Sequence, residues 1–286
     1  MEKIKAALLI LLGSFFSCTD DVIQRILADH GYTPWQIVQG RTLLAILILM
    51  PFVIKKKLYK TNIAGLHILR GGLFCCTVCF HILGLAKAPL ALCALIEFTG
   101  PLFILLFSMI FLKEKVTLTQ TFAALITFGT VASIIDYNNV TIKYGAIFVL
   151  IAMMIYAGIE TINKKIISTY NENEFTMIFL YNVYAFAIIS LLCLKSFTIP
   201  TITDTLLFIG LGSGSILFFL CFLKAFKLAN ISFLSTFKYS EFIYKSLFGV
   251  LLFNEEIKYS NIVAMAIIII TNIFLIFTDK GENKKE

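Results

Sequence analysis

The sequence predicts an all-α membrane protein of ten transmembrane helices, arranged as two inverted five-helix repeats. Three observations carry that prediction. Of 286 residues, 59% are hydrophobic and only 14% are charged, against about 25% charged in soluble domains. The apolar residues gather into ten runs of about 20, the length at which a helix rising about 1.5 Å per residue crosses a hydrocarbon core of about 30 Å. A residue pattern in the first half also returns 141 positions later in the second.

In order, the runs lie at about 4–27, 35–54, 66–86, 88–112, 119–136, 143–163, 175–194, 203–223, 230–253 and 259–278. Turn and charge clusters separate them, among them Asp29-His30-Gly31-Tyr32-Thr33-Pro34, Lys55-Lys56-Lys57, Lys113-Glu114-Lys115, Tyr137-Asn138-Asn139 and Asn171-Glu172-Asn173-Glu174. Such short connections exclude a sizeable soluble domain and with it most cofactor enzymes, so no cofactor is expected. Lys3 and Lys5 before the first run imitate a signal peptide, and Phe16-Ser17-Cys18 imitates a lipoprotein cleavage site. Cleavage there would leave an odd number of spans and break the repeat, so the run is read as a retained helix.

The net charge of +7 is a matter of topology. With the N-terminus inside, sixteen of the 24 basic residues flank cytoplasmic ends, including Lys55, Lys56, Lys57, Lys60 and Arg70 after the second run, and five lie opposite. Three, Arg41, Lys238 and Lys245, fall inside runs. That bias follows the positive-inside rule and predicts an inner-membrane protein with both termini cytoplasmic. Membrane lipid is its expected surrounding, and nucleic acid is not an expected partner. All seven cysteines lie in apolar runs, where they are read as packing residues with no zinc pattern, and His81 is read the same way.

The repeat joins Ala86-Lys87-Ala88-Pro89-Leu90-Ala91 through Phe111-Leu112-Lys113-Glu114 to Lys227-Leu228-Ala229-Asn230-Ile231-Ser232 through Leu252-Phe253-Asn254-Glu255. It divides the chain into residues 1–138 and 139–286. Five spans per half is odd, so the second half enters the membrane inverted. Inverted repeats mark secondary transporters with a midplane site. No nucleophile elbow, His-Glu-x-x-His or phosphate loop is present. A non-enzyme is therefore expected, with an intramembrane hydrolase as a remote alternative. Gly210, Gly212 and Gly214 read as a close helix-packing face.

A charge at the bilayer centre costs at least about 2.5 kcal/mol, so those retained there are functional candidates. They are Asp20, Asp21, Arg41, Glu97, Glu160, Lys238, Glu241 and Lys245. Span direction places Asp20, Asp21, Arg41 and Glu97 in an outer layer and Glu160 and Lys238 in an inner one. Glu241 lies between the layers, one helical turn beyond Lys238 on the same face. Arg41 with Asp20, Asp21 or Glu97 is the expected outer gate, and Lys238 with Glu160 the inner. Phe98 and Tyr239 neighbour these charges and offer ring faces to a base or a cation. Glu114 and Glu255, at the ends of matched helices, are read as structural.

Over its whole length the chain resembles the EamA-type drug/metabolite transporters, on the paired halves and the Phe111-Leu112-Lys113-Glu114 and Leu252-Phe253-Asn254-Glu255 ends. It is more closely similar to the S-adenosylmethionine uptake transporters of obligate intracellular bacteria. That likeness rests on His67-Ile68-Leu69-Arg70-Gly71, Ile162-Asn163-Lys164-Lys165, Gly212 through Phe219 with Lys224-Ala225-Phe226, and Lys238-Tyr239-Ser240-Glu241. Two positions depart from the family pattern, Lys238 in place of an arginine and Glu97 in place of a small polar residue. The resemblance implies import of S-adenosylmethionine in exchange for S-adenosylhomocysteine. Glu97, Glu241 or Asp21 would meet the sulfonium and ammonium, Lys238 or Arg41 the carboxylate, and Tyr239 or Phe98 the adenine. Asp20, Arg41 and Glu160 would serve gating. The alternative within this fold is a proton-coupled exporter of amino acids or related metabolites, working through Glu97 or Glu241.

Overall fold

The computed structural model describes residues 2–85, 96–133, 144–193, 198–253 and 259–282, and it is helical throughout apart from short turns. The helices are α1 (Glu2–Asp29), α2 (Pro34–Lys55), α3 (Ala64–Leu85), α4 (Gly100–Phe111), α5 (Leu118–Ser133) and α6 (Tyr144–Lys165), the last prolonged by a π turn at Ile166–Tyr170. They continue with α7 (Glu174–Cys193), α8 (Ile202–Leu228), a short α9 (Ile231–Ser235), a 3₁₀ turn (Thr236–Ser240), α10 (Glu241–Phe253) and α11 (Tyr259–Glu282). Each of the ten apolar runs carries helix. Six segments, in α1, α2, α3, α6, α7 and α8, are long and apolar enough to cross a membrane by length and composition. Several expected features lie outside the described residues: Lys87, Cys93, the 138/139 boundary and the stretch from Asn254 to Lys258.

Local chemistry sets the helix ends. Thr33 caps α2 by accepting from the Gln36 backbone N–H at 3.3 Å, and Pro34 follows where its missing N–H costs nothing. Thr201 caps α8 through the Asp204 N–H at 3.1 Å. The Asp204 carboxylate then reaches back to the α1–α2 turn, accepting from the Tyr32 hydroxyl at 2.8 Å and meeting His30 Nδ1 at 2.7 Å. Gly31 takes φ +87° in that turn, a conformation that strains any residue with a Cβ.

The long helix α8 packs between α1 and α2 through glycines. A Cβ on Gly13 of α1 would meet the Phe222 ring at 2.6 Å, and one on Gly212 of α8 would meet Leu44 Cβ of α2 at 2.8 Å. Gly214 leaves space that the Asp20 carboxylate occupies. Lipid supplies no hydrophobic drive between helices, so such close backbone approach is what holds the bundle. The outer surface carries exposed leucine, isoleucine and phenylalanine on many helices, such as Leu47, Ile110, Phe111, Ile126 and Ile270, a face suited to acyl chains.

One sequence expectation needs correction. The ninth run, expected as one helix, is broken at Thr236–Ser240. Ser235 and Ser240 donate to the carbonyls of Ser232 and Phe237, three residues back, which favours the tighter turn. Arg70, assigned to a cytoplasmic flank, is fully buried. Its Nη1 lies 3.1 Å from His67 Nδ1 and donates to the Met177 carbonyl at 3.3 Å, and its guanidinium sits 5.3 Å from the Tyr181 ring centre.

Candidate functional site

A cavity of about 510 Å³ runs into the bundle from the level of the α1–α2 turn, where Gln24, Arg25, Ala28 and Pro34 border it, to a floor formed by Glu160, Lys238 and Glu241. The end that holds the start of α1 is filled instead. There Ala6, Ala7 and Ile10 pack with Leu49 and Val53 of α2, Phe222, Leu223 and Phe226 of α8, and Phe233 and Phe237 beyond the short α9.

Broken helix delivers the charges. A 3₁₀ turn has three residues per turn and eclipses side chains three apart, so Lys238 and Glu241 both reach the cavity. Glu97 and Phe98 lie at the turn preceding α4, whose second residue is Pro101. Residues 97 and 238 are related by the 141-residue spacing of the repeat, so both interruptions fall at matching positions.

Each charge has a distinct environment. Arg41 Nη2 stands 3.7 Å from Asp20 Oδ2, and Lys245 Nζ stands 3.2 Å from Asp21 Oδ2. Glu97 Oε1 lies 2.6 Å from His81 Nε2. On the floor, Glu241 accepts from the Ser14 hydroxyl at 3.3 Å, and Glu160 accepts from Asn163 Nδ2 at 3.3 Å. Lys238 donates to the Tyr156 hydroxyl and sits 4.2 Å from that ring's centre and 5.0 Å from that of Phe222. Glu160, Glu241 and Lys238 thus face the cavity with uncharged hydrogen-bond partners, and Phe74, Phe98, Tyr181, Phe218 and Phe219 supply apolar wall. Convergent charges on an aromatic-lined chamber suit an amphiphilic zwitterion or cation of a few hundred Å³.

The sequence pattern of the EamA-like transporter family matches residues 4–135 and, a second time, 143–278. The chain belongs to this family. It is thus a multi-pass membrane protein of a transporter family. Its curated relatives include a Rickettsia bellii protein named S-adenosylmethionine uptake transporter, 26% identical over 280 residues, covering 96% of this chain and 94% of that one. Proteins of the same name from Rickettsia conorii and Rickettsia prowazekii are 28% and 26% identical over 275 residues, each covering 94% of this chain and 92% of the relative. A protein of known crystal structure superposes with a TM-score of 0.79 at 15% identity, over 93% of this chain and 94% of its own, a likeness of fold.

Of the nine residues that sequence assigned to binding and gating in this family member, the cavity gathers Asp20, Asp21, Arg41, Glu97, Phe98, Glu160, Lys238 and Glu241. Tyr239 is the correction. One step along the 3₁₀ turn from Lys238, it points away from the cavity, fully buried beside Ile268 and stacked behind Phe98 with ring centres 6.1 Å apart. The expected inner pair is also altered. Lys238 and Glu160 are not within 4 Å of each other, and the Tyr156 hydroxyl is the group that takes the ammonium. The Arg41 pairing expected at the outer level is present with Asp20, at the long end of ion-pair range. His81, read as packing, borders the cavity against Glu97, and a lone histidine in an apolar run gives no sequence signal of such a partner.

Glu114, read as structural, accepts from the backbone N–H groups of Ile231 and Ser232, both at 3.2 Å, and from the Ser232 hydroxyl at 3.1 Å. It satisfies the first orphan donors of α9 from another helix's end. Lys164 completes the joint by donating to the Phe226 carbonyl and, at 2.7 Å, to that of Ala229.

Proposed function

We propose that this chain carries S-adenosylmethionine across the bacterial inner membrane by alternating access, in exchange for S-adenosylhomocysteine. The observation that carries the reading is the floor of the cavity, where one ammonium, Lys238, and two carboxylates, Glu241 and Glu160, hydrogen-bond to hydroxyl and amide groups and, among the described residues, form no salt bridge within 4 Å. An amino-acid end group offers the matching set, its carboxylate to Lys238 and its ammonium to Glu241 or Glu160. The sulfonium then falls to the remaining carboxylates, Glu97 and Asp21, and the adenine to the Phe98 face. The name shared by the Rickettsia relatives supports the same substrate.

The architecture that goes with this reading is ten spans in two inverted repeats, residues 1–138 and 139–286, with both termini cytoplasmic. In that arrangement the cavity faces outward, and the packing of the first turns of α1 against α8 and Phe233 forms the closed inner gate. No catalytic step is assigned to the chain. The test is uptake of labelled S-adenosylmethionine by cells that express the chain and otherwise exclude the compound. Accumulation that unlabelled S-adenosylhomocysteine chases out supports exchange. Accumulation equal to that of cells without the chain rejects the substrate.

A further inference from the structure

His81 and Glu97 form a contact that substrate carriage as described does not use. Their 2.6 Å separation ties α3 to the turn before α4, and both side chains border the cavity, 31% and 28% exposed. A contact this short between an imidazole and a carboxylate is a hydrogen bond, and it is charge-assisted when the imidazole is protonated.

Among the described residues, the charged groups facing the pair come from α10 and α1. Lys245 of α10 acts on Glu97, and Lys245 is itself surrounded by Asp21 of α1 and by Glu241 at the start of α10. Arg25 of α1 borders the same cavity. On the far side of α3, α6 presents Phe148 stacked on Phe80. The carboxylate of α7, Glu174, is engaged by Lys227 at 2.9 Å.

We propose that the His81–Glu97 pair holds a proton that the substrate's positive group displaces. The proposal rests on the S-adenosylmethionine reading and adds its coupling. When the sulfonium takes Glu97, the imidazolium loses its counter-ion and is left beside that cation and Lys245. Without that counter-ion the imidazolium gives up its proton to cavity water. S-adenosylmethionine carries one net positive charge and drives this release. Its demethylated thioether, S-adenosylhomocysteine, is a neutral zwitterion and leaves the pair protonated. A carrier that brings the sulfonium inward, and returns either empty or with the thioether, moves one proton outward. One positive charge crosses in each direction, and the cycle is electrically silent.

The test is calorimetric binding of both compounds to the purified full-length chain, in buffers of different ionisation enthalpy, across about pH 6 to 8. S-adenosylmethionine should release about one proton, and its Kd should fall about tenfold per pH unit while the pair is protonated, by linkage. The Kd of S-adenosylhomocysteine should stay flat. His81→Gln should abolish the release and flatten the S-adenosylmethionine profile. Binding of S-adenosylmethionine without proton release, or with undiminished release in His81→Gln, overturns the coupling and leaves the substrate reading standing. Failure of the wild-type chain to bind either compound overturns both. In vesicles preloaded with S-adenosylhomocysteine, external S-adenosylmethionine should alkalinise the lumen at a rate indifferent to an imposed potential. Uptake driven by the potential with no pH change overturns the proposal without any variant.

Discussion

Lys238 donates its ammonium hydrogen bond to the hydroxyl of Tyr156 rather than to a carboxylate, and stands over the ring of that same tyrosine. A lysine so held is anchored and, among the described residues, has no carboxylate within 4 Å, which leaves it to a substrate carboxylate in the proposed function.

Lys238→Glu should abolish uptake, and adding Glu160→Lys should not restore it, because the two side chains do not form a pair to be swapped. Tyr156→Phe, which removes the hydrogen bond and keeps the ring, should weaken binding about tenfold, the scale of a hydrogen bond to a charged group. Binding of labelled substrate to the purified variants reads both effects. Rescue by the double exchange would contradict the placement.

Tyr239→Phe should leave uptake unchanged and stability equal or higher. The Tyr239 hydroxyl is buried with no hydrogen-bond partner among the described residues, so its removal relieves a desolvated polar group. Tyr239→Ala should cost about 3–5 kcal/mol through the cavity left behind Phe98. Thermal unfolding in detergent, paired with uptake, separates the two substitutions. Loss of uptake at normal stability in Tyr239→Phe would return this residue to the binding surface.

Gly214→Ala and Gly72→Ala should part company. A Cβ at position 214 runs into the Asp20 carboxylate beside Arg41, whereas one at 72 meets nothing within 4 Å. The first should destabilise by about 1–3 kcal/mol through overpacking. The second should stabilise by about 0.5–1 kcal/mol through reduced chain entropy. Melting temperatures of the two variants check the contrast.

Glu114→Ala should lower stability by about 1–3 kcal/mol, since two backbone N–H groups at the start of α9 lose their acceptor. Glu114→Gln keeps one carbonyl oxygen and should lose less. Equal melting temperatures for wild type and Glu114→Ala would remove its role as a clasp.

What the sequence made legible follows from cost. Ionised groups in apolar runs are expensive enough that Asp20, Asp21, Arg41, Glu97, Glu160, Lys238 and Glu241 stood out, and the structure arranges all of them around one cavity. Helical periodicity put Lys238 and Glu241 on one face, yet the face is made by a 3₁₀ turn, which periodicity could not distinguish. The same turn carries Tyr239 away from the cavity. Arg70 lay near the start of an apolar run, where position alone suggests a flank, and only the packing of α3 on α7 buries it. His81 and Tyr156 owe their roles to partners far along the chain or on other helices, Glu97 and Lys238, so neither residue carried its role in its own neighbourhood.

In the proposed function, the charges of Lys238 and Glu241 receive S-adenosylmethionine for transport. Its most direct test is counterflow with the purified chain in vesicles, loaded with unlabelled S-adenosylmethionine and diluted into a trace of the labelled compound. Label should concentrate transiently inside, be suppressed by external S-adenosylhomocysteine and be absent in Glu241→Gln. Label no higher than in protein-free vesicles would contradict it.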